Sequence, residues 1–553
     1  MTLLPLSILA LAAGITARNV KTTVPLMGWN SYNAYGCDNP GPTEATLKFN
    51  AQGLVALGLD KLGYTYVTPD CGWNSNFRDA SGQLVWNATR FPSGGKALAD
   101  YIHGLGLKFG VYSGGGYYQC GSTDLPASLN HESADAATFA SWGADSLKYD
   151  NCYSTSNTIM VDYTSEGAGS PTRFQTMANA IASTGKDMVF QVCQWGVGQN
   201  IGRWASKIAD SWRISNDISN NWVSIWRITN EAVPYYKHTT IGAYPDMDML
   251  IVGLNVLSEE EERFHFGMWA INKSPLIIGA PMDATKTSSS SLAILANKEV
   301  IAINQDSLSK QAQLVRRHTE EEWDIWAGEL SDSRMVVALS NWKNSTTSVA
   351  VDLASVLGIS SARARDVWAA KDIGTVAGTY RATLQGHQLH ILVLSEIAKS
   401  TETPKFSGYY TATDAALSGT AAKVDCSSEQ CLPAHSKVGN IGQGAAAAAV
   451  IFTNVSAATS GKALLGVDFI NYDVALESAW SGGTNTRNMT VTVNGGKPKR
   501  WAFPISGGDW YETGRLMVEV DGFKAGDSNQ VVFRAFGDGT YAPDLVGFEV
   551  FEG

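Results

Sequence analysis

From Val24 to about Asn304, short apolar runs alternate with amphipathic stretches in a regular order. Eight runs have strand length: Leu26 to Tyr32, Tyr64 to Asp70, Lys108 to Ser113, Ser146 to Asp150, Met188 to Gln194, Ser211 to Asp217, Tyr244 to Gly253 and Pro275 to Ala280. Between them, Pro42 to Leu57, Lys96 to Leu105, Ala134 to Trp142 and Pro171 to Ser183 carry apolar residues at helical spacing behind helix-starting residues. Eight such alternations within roughly 250 residues predict an α/β fold, a closed (β/α)8 TIM barrel over residues 24–305. No glycine-rich phosphate fingerprint follows the first run, which argues against a nucleotide-binding sheet.

The pattern then changes. Over residues 312–395 short alternating runs dominate, such as Met335 to Leu339 and His390 to Leu394, and predict a small antiparallel β domain. Residues 396–405 read as a polar linker. Residues 406–553 keep strand-and-turn spacing and predict a β-sandwich, with the small apolar run Ala445 to Val450 leading into a strand.

Three domains suit a chain of 553 residues, and 44% hydrophobic with 17% charged residues is a folded composition. Residues 1–17 are uncharged and apolar and end in Ile15-Thr16-Ala17, as a secretory leader does, although a basic start is missing. The stretch is too short to span a bilayer. The net charge of −11 gives no reason to seek nucleic acid or anionic membrane. Sequons at Asn87, Asn344, Asn454 and Asn488 fit export through a glycosylating pathway, so a secreted, extracellular protein is expected. Seven cysteines in an exported chain leave one over; the pairing adopted is Cys37 with Cys71, Cys120 with Cys152 and Cys426 with Cys431, leaving Cys193 free. Sequence alone does not prove that connectivity. The cysteine and histidine spacing suits no zinc site.

In such barrels chemistry sits at the carboxyl ends of the strands, and nearly every run ends in polar residues. Trp29 and Asn30 belong to the first, Asp70 to the second, Tyr112 to the third, Lys148 and Asp150 to the fourth, Gln194 and Trp195 to the fifth, Arg213 and Asp217 to the sixth, and Asp246 and Asp248 to the seventh. Lys148 and Asp150 share a strand face, so the cation is expected to keep the carboxylate charged with a low pKa. A structural ion-pair network competes for any single one of these residues, less well for the whole set. Aromatic faces from Trp29, Tyr112 and Trp195 beside several carboxylates suit a sugar, and two carboxylates on different strands supply the parts for glycoside cleavage. Lys148 and Arg213 already neutralise the mouth, so no metal and no catalytic cofactor is expected.

The segments Met27 to Tyr32, Thr68 to Trp73, Leu147 to Cys152, Ser211 to Ile218 and Pro245 to Leu250 closely resemble the secreted α-galactosidases of glycoside hydrolase family twenty-seven, clan D, the fungal forms most. The resemblance covers about residues 24–395. It implies a retaining double displacement with Asp150 as nucleophile and Asp217 as acid and base. It also implies that Trp29, Asp70, Tyr112, Lys148, Arg213 and Asp248 hold galactosyl hydroxyls, with Cys120 and Cys152 bonded beside the pocket. Two departures bear on substrate. Pro69-Asp70 stands where many relatives carry two aspartates, and relatives altered there can favour β-L-arabinopyranosides; Gln194 stands where human-type enzymes carry glutamate.

Beyond Ser407, Tyr410 to Gly419, Lys437 to Gly442, Val493 to Gly496 and Ala542 to Leu545 resemble, more loosely, carbohydrate-binding modules of family thirty-five and its neighbours. Thr411 and Thr413 stand where such modules usually place acids, which weakens the case for their calcium ion. Trp510 and Tyr511 are candidates for a sugar-stacking platform, or for plain core aromatics. The expected substrates are melibiose- and raffinose-type oligosaccharides and galactomannan, with plant polysaccharide a partner of the terminal module. The alternatives are a β-L-arabinopyranosidase and, less favoured because Asp150 and Asp217 are both present, a galactose-binding lectin on an inactive barrel.

Overall fold

The computed structural model describes residues 20–38, 41–161, 169–196, 200–401, 405–442, 448–474, 485–537 and 539–552. The leader at 1–17 and residues 445–447 of the small apolar run lie outside them.

Eight parallel strands make the first sheet: β1 (Met27–Asn30), β2 (Tyr66–Thr68), β3 (Lys108–Gly114), β4 (Ser146–Asp150), β5 (Val189–Val192), β6 (Ser211–Arg213), β7 (Tyr244–Asp246) and β8 (Leu276–Ile278). Neighbours in sequence pair in order, and β8 pairs with β1. The ring closes just past β7, where Leu250 bridges Ile278 and its amide donates to the Ile277 carbonyl at 2.8 Å. The strands are close to continuously buried, as both faces of a barrel wall require. Gly28 marks the tightest approach, since a Cβ there would lie 2.3 Å from the Tyr66 carbonyl oxygen.

The predicted helices form at Glu44–Ala56, Gly94–Gly104, Glu132–Trp142 and Ser170–Ser183. The first starts at a capping box, with the Thr43 hydroxyl accepting from the Thr46 amide and the Thr46 hydroxyl accepting from Thr43. A hairpin of Asn74–Arg78 with Leu84–Trp86 follows β2. The reading above has no strand there, because Asn74-Ser75-Asn76 carries no apolar alternation.

An antiparallel six-stranded sheet follows, in which Met335 pairs Leu394 and Leu339 pairs His390. Its strand Leu389–Lys399 runs through the start of the predicted linker, with Lys399 opposite Ile359. The physical reason is Ile397, which packs on the core of this domain, so its segment is sheet. The next strand begins at Lys405.

The terminal domain is two packed sheets, one centred on Gly461–Ile470 and Asp544–Glu552, the other on Ala449–Ala457 and Gly526–Ala535. Phe452, Val467, Val518, Phe533 and Phe548 fill the space between. Trp510 is half-buried with the Arg487 guanidinium 4.8 Å from its ring centre, and Tyr511, though exposed, has the Lys437 ammonium 4.9 Å from its own, so a cation covers each ring. The Thr413 hydroxyl meets that of Ser436 at 3.0 Å. Asn344 and Asn454 are exposed; Asn87 and Asn488 are half-buried.

Candidate active site

The carboxyl ends of β1 to β7 converge on one charged cluster. Asp150 closes β4, buried to 7% exposure. Its Oδ2 accepts from the Tyr112 hydroxyl at 2.9 Å, and its Oδ1 from the Trp195 indole N–H at 3.0 Å and the Asn151 amide at 2.9 Å. Tyr112 arrives because β3 and β4 pair it with Lys148. Trp195 arrives through a left-handed turn, φ 70°, three residues after β5.

Lys148 does not pair with Asp150. Its ammonium binds Asp70 Oδ2 at 2.6 Å and lies 5.4 Å from the Tyr112 ring centre. The same Asp70 oxygen accepts from Asn30 Nδ2 at 2.8 Å, and the Asp70 amide donates to the Ser31 hydroxyl. The expected low pKa of Asp150 is therefore overturned. Burial raises it above the ordinary carboxylate value, Lys148 only partly opposes this, and the charges of Asp217 and Asp70 add to the rise. Burial works against the Lys148 charge as well, but the negative groups around it, Asp70 foremost and Asp150 with it, together outweigh burial and hold the ammonium protonated.

On the other side, Arg213 at the end of β6 binds the carboxylates of Asp217 and Asp248, the latter at 2.8 Å. β6 stops at Arg213, so Asp217 stands in a loop four residues further on and not at a strand end. Its side chain keeps 31% exposure. Asp248 sits two residues past β7 in a left-handed conformation, φ 80°, with Oδ2 accepting from the Ile218 amide at 2.6 Å. Burial, opposed by Arg213, pushes Asp248 up to about 6.

Seven predicted residues thus meet: Asp70, Tyr112, Lys148, Asp150, Arg213, Asp217 and Asp248. For Trp29 and Gln194 the hydrogen bonds described run to groups outside that cluster. The Trp29 indole donates to the Ala280 carbonyl at 2.8 Å, and Gln194 Nε2 donates to the Ser170 hydroxyl at 3.1 Å. Tyr32 was missed as a site residue. The Lys148 ammonium lies 5.8 Å from the Tyr32 ring centre, and chiefly the charge of Asp217, with burial and Asp70, raises its phenol pKa, so the residue keeps its hydroxyl protonated. It lies two residues past β1, the same signal that marked the others. The disulfides Cys37–Cys71, Cys120–Cys152 and Cys426–Cys431 are formed. Cys193 is a buried free thiol 3.7 Å from Arg213 Nη1.

A closed barrel whose mouth holds two aspartates among aromatic rings and cation-bound carboxylates has the form of a glycoside hydrolase. Residues 24–306 match the family model described as Alpha galactosidase A, and residues 320–394 match the Alpha galactosidase C-terminal beta sandwich domain. The chain is 38% identical to the "Probable alpha-galactosidase D" of Aspergillus oryzae, across 96% of each sequence. The crystal structure of alpha-galactosidase I from Mortierella vinacea superposes with a TM-score of 0.64 at 33% identity, covering 70% of this chain and all of that one. A structure of a Saccharomyces cerevisiae alfa-galactosidase with raffinose gives 0.62 at 28% identity, covering 67% of this chain and 97% of its own. The chain belongs to the α-galactosidase family defined by these matches.

Proposed function

We propose that this protein is a retaining exo-α-galactosidase that removes terminal α-linked galactose from melibiose- and raffinose-type oligosaccharides and from galactomannan. Asp150 is the nucleophile and Asp217 the acid that protonates the departing oxygen, then the base that activates water. The observation that carries this reading is the contrast between the two carboxylates. Among the described residues, the hydrogen-bond donors to buried Asp150 are all neutral, so no cation is bonded directly to the attacking carboxylate; Asp217 keeps partial access to solvent, as a group meeting both leaving group and water must. Asp70 with Lys148, and Asp248 with Arg213, offer fixed charged partners for sugar hydroxyls.

Three disulfides and the similarity to fungal α-galactosidases support an extracellular site of action, with glycans at exposed Asn344 and Asn454. Binding of plant polysaccharide by the terminal sandwich belongs to the same reading, with Tyr511, exposed at 41%, as an aromatic still open to a ligand.

Proton NMR of the first galactose released from an aryl α-galactoside tests the mechanism. The α-anomer should form first and then mutarotate, whereas initial β-anomer means inversion and removes Asp150 as a nucleophile. The single carboxylate after Pro69 makes the aryl β-L-arabinopyranoside the comparison substrate. Faster turnover of that sugar would reassign the substrate.

A further inference from the structure

The terminal sandwich is docked against the two loops that deliver Trp195 and Asp217. Arg227, fully buried on helix Trp222–Ala232, points its guanidinium at the back of the Asp217 loop. Its Nη2 donates to the carbonyl oxygens of Asp217 at 3.1 Å and Asn216 at 3.3 Å. One turn along the helix Glu231, 2% exposed, pairs with Arg227 at 3.0 Å. The same Glu231 oxygen accepts a hydrogen bond from Asn485 Nδ2, which belongs to the terminal sandwich. Asn485 takes a left-handed backbone, φ 52°, a conformation asparagine tolerates better than most residues, and is itself buried. Second, the Tyr472 hydroxyl of the sandwich donates to the Gly196 carbonyl at 3.3 Å, one residue after the tryptophan that binds Asp150.

A loop group has no strand ladder to fix it, so its position depends on what grips its backbone. Arg227 grips the Asp217 backbone, Glu231 holds Arg227, and Asn485 orients Glu231. We propose that the terminal sandwich is a working part of the active site: through Asn485, Glu231 and Arg227 it positions Asp217, so that these three are positioning residues for acid catalysis. The proposal rests on the reading of Asp217 as the acid, and gives the appendage a role that requires no ligand of its own. It differs from carbohydrate binding, which would act on polymeric substrates alone.

The test uses the full-length protein with Asn485→Ala, Glu231→Gln and, as a docking control away from this chain of contacts, Arg500→Ala, whose Nε binds Glu320 at 2.9 Å. Each is compared on a galactoside with a sugar or methyl aglycone, which needs protonation, and on a dinitrophenyl galactoside, which does not. Displacing a catalytic group by a fraction of an ångström is expected to lower kcat/KM for Asn485→Ala and Glu231→Gln about tenfold on the poor leaving group and less than about twofold on the good one. Arg500→Ala should change neither. Equal losses on both substrates, or none on either, overturn the coupling. Should Glu231→Gln fail to fold, Asn485→Ala alone carries the comparison, with thermal melting to confirm its fold. If Asp217→Asn itself shows no contrast between leaving groups, the acid assignment fails and not the coupling.

Discussion

The two halves of the active site are built by different means. Asp150 ends a regular strand, and register brings it its surroundings: Gly114 pairs with Asp150, Tyr112 with Lys148, and Tyr149 with Val192, two strands that between them carry Tyr112 and lead to Trp195. Asp217 lies beyond its strand, and among the described residues two side chains grip it: Arg213 on its carboxylate, Arg227 on its carbonyl. On the proposed roles, the backbone ladder holds the nucleophile rigidly and keeps it buried, while the clasp of arginines holds the acid open to solvent and makes it sensitive to residues further away.

The comparison can be broken most severely on the strand side. Asp150→Ala removes the attacking oxygen and should lower kcat by roughly 10⁴-fold or more on every aryl α-galactoside while the circular dichroism spectrum stays native. Activity within tenfold of the parent would exclude it as nucleophile. Asp217→Asn comes next. The loss should reach about 10²- to 10⁴-fold on poor leaving groups and shrink towards none on activated ones, and a loss independent of leaving group would take away its acid role. The smallest effect sharpens the ladder side. Tyr112→Phe deletes one donor to the Asp150 anion, worth about 1.5 kcal/mol, or roughly tenfold. A donor to the charged form favours it, so its removal raises further a pKa that burial already holds above the ordinary value of about 3.9. The nucleophile must be ionised, so activity falls as pH drops through that raised pKa, and the acidic limb of kcat/KM should move to higher pH in the variant. An unmoved limb would mean that Tyr112 does not act on the nucleophile.

The barrel was legible because apolar runs of strand length recur between helical stretches, and Tyr112, Lys148 and Asp150 were legible because they close such runs. The disulfide pairs match the pairing adopted from the sequence, which the sequence alone did not prove. The extent of β6 was not legible, because Ile214 continues the run of Ser211 to Asp217 although the strand has already ended at Arg213. Tyr32 closes the first apolar run and so carried the same signal; it was passed over because Trp29 and Asn30 of that run were preferred, and the structure places it at the start of the short helix Tyr32–Tyr35.

What the sequence determined by itself was local: which faces alternate, where strands end, and hence which residues could reach a common mouth. Which of them would touch was decided only by the tertiary structure. Lys148 passes over the carboxylate two residues away and binds Asp70, 78 positions distant in the chain, and Glu231 of the barrel is completed by Asn485 of the last domain. The reason is that pairing strength and pKa depend on distance and on the water removed around each group, and both are set by the packing of segments far apart in sequence.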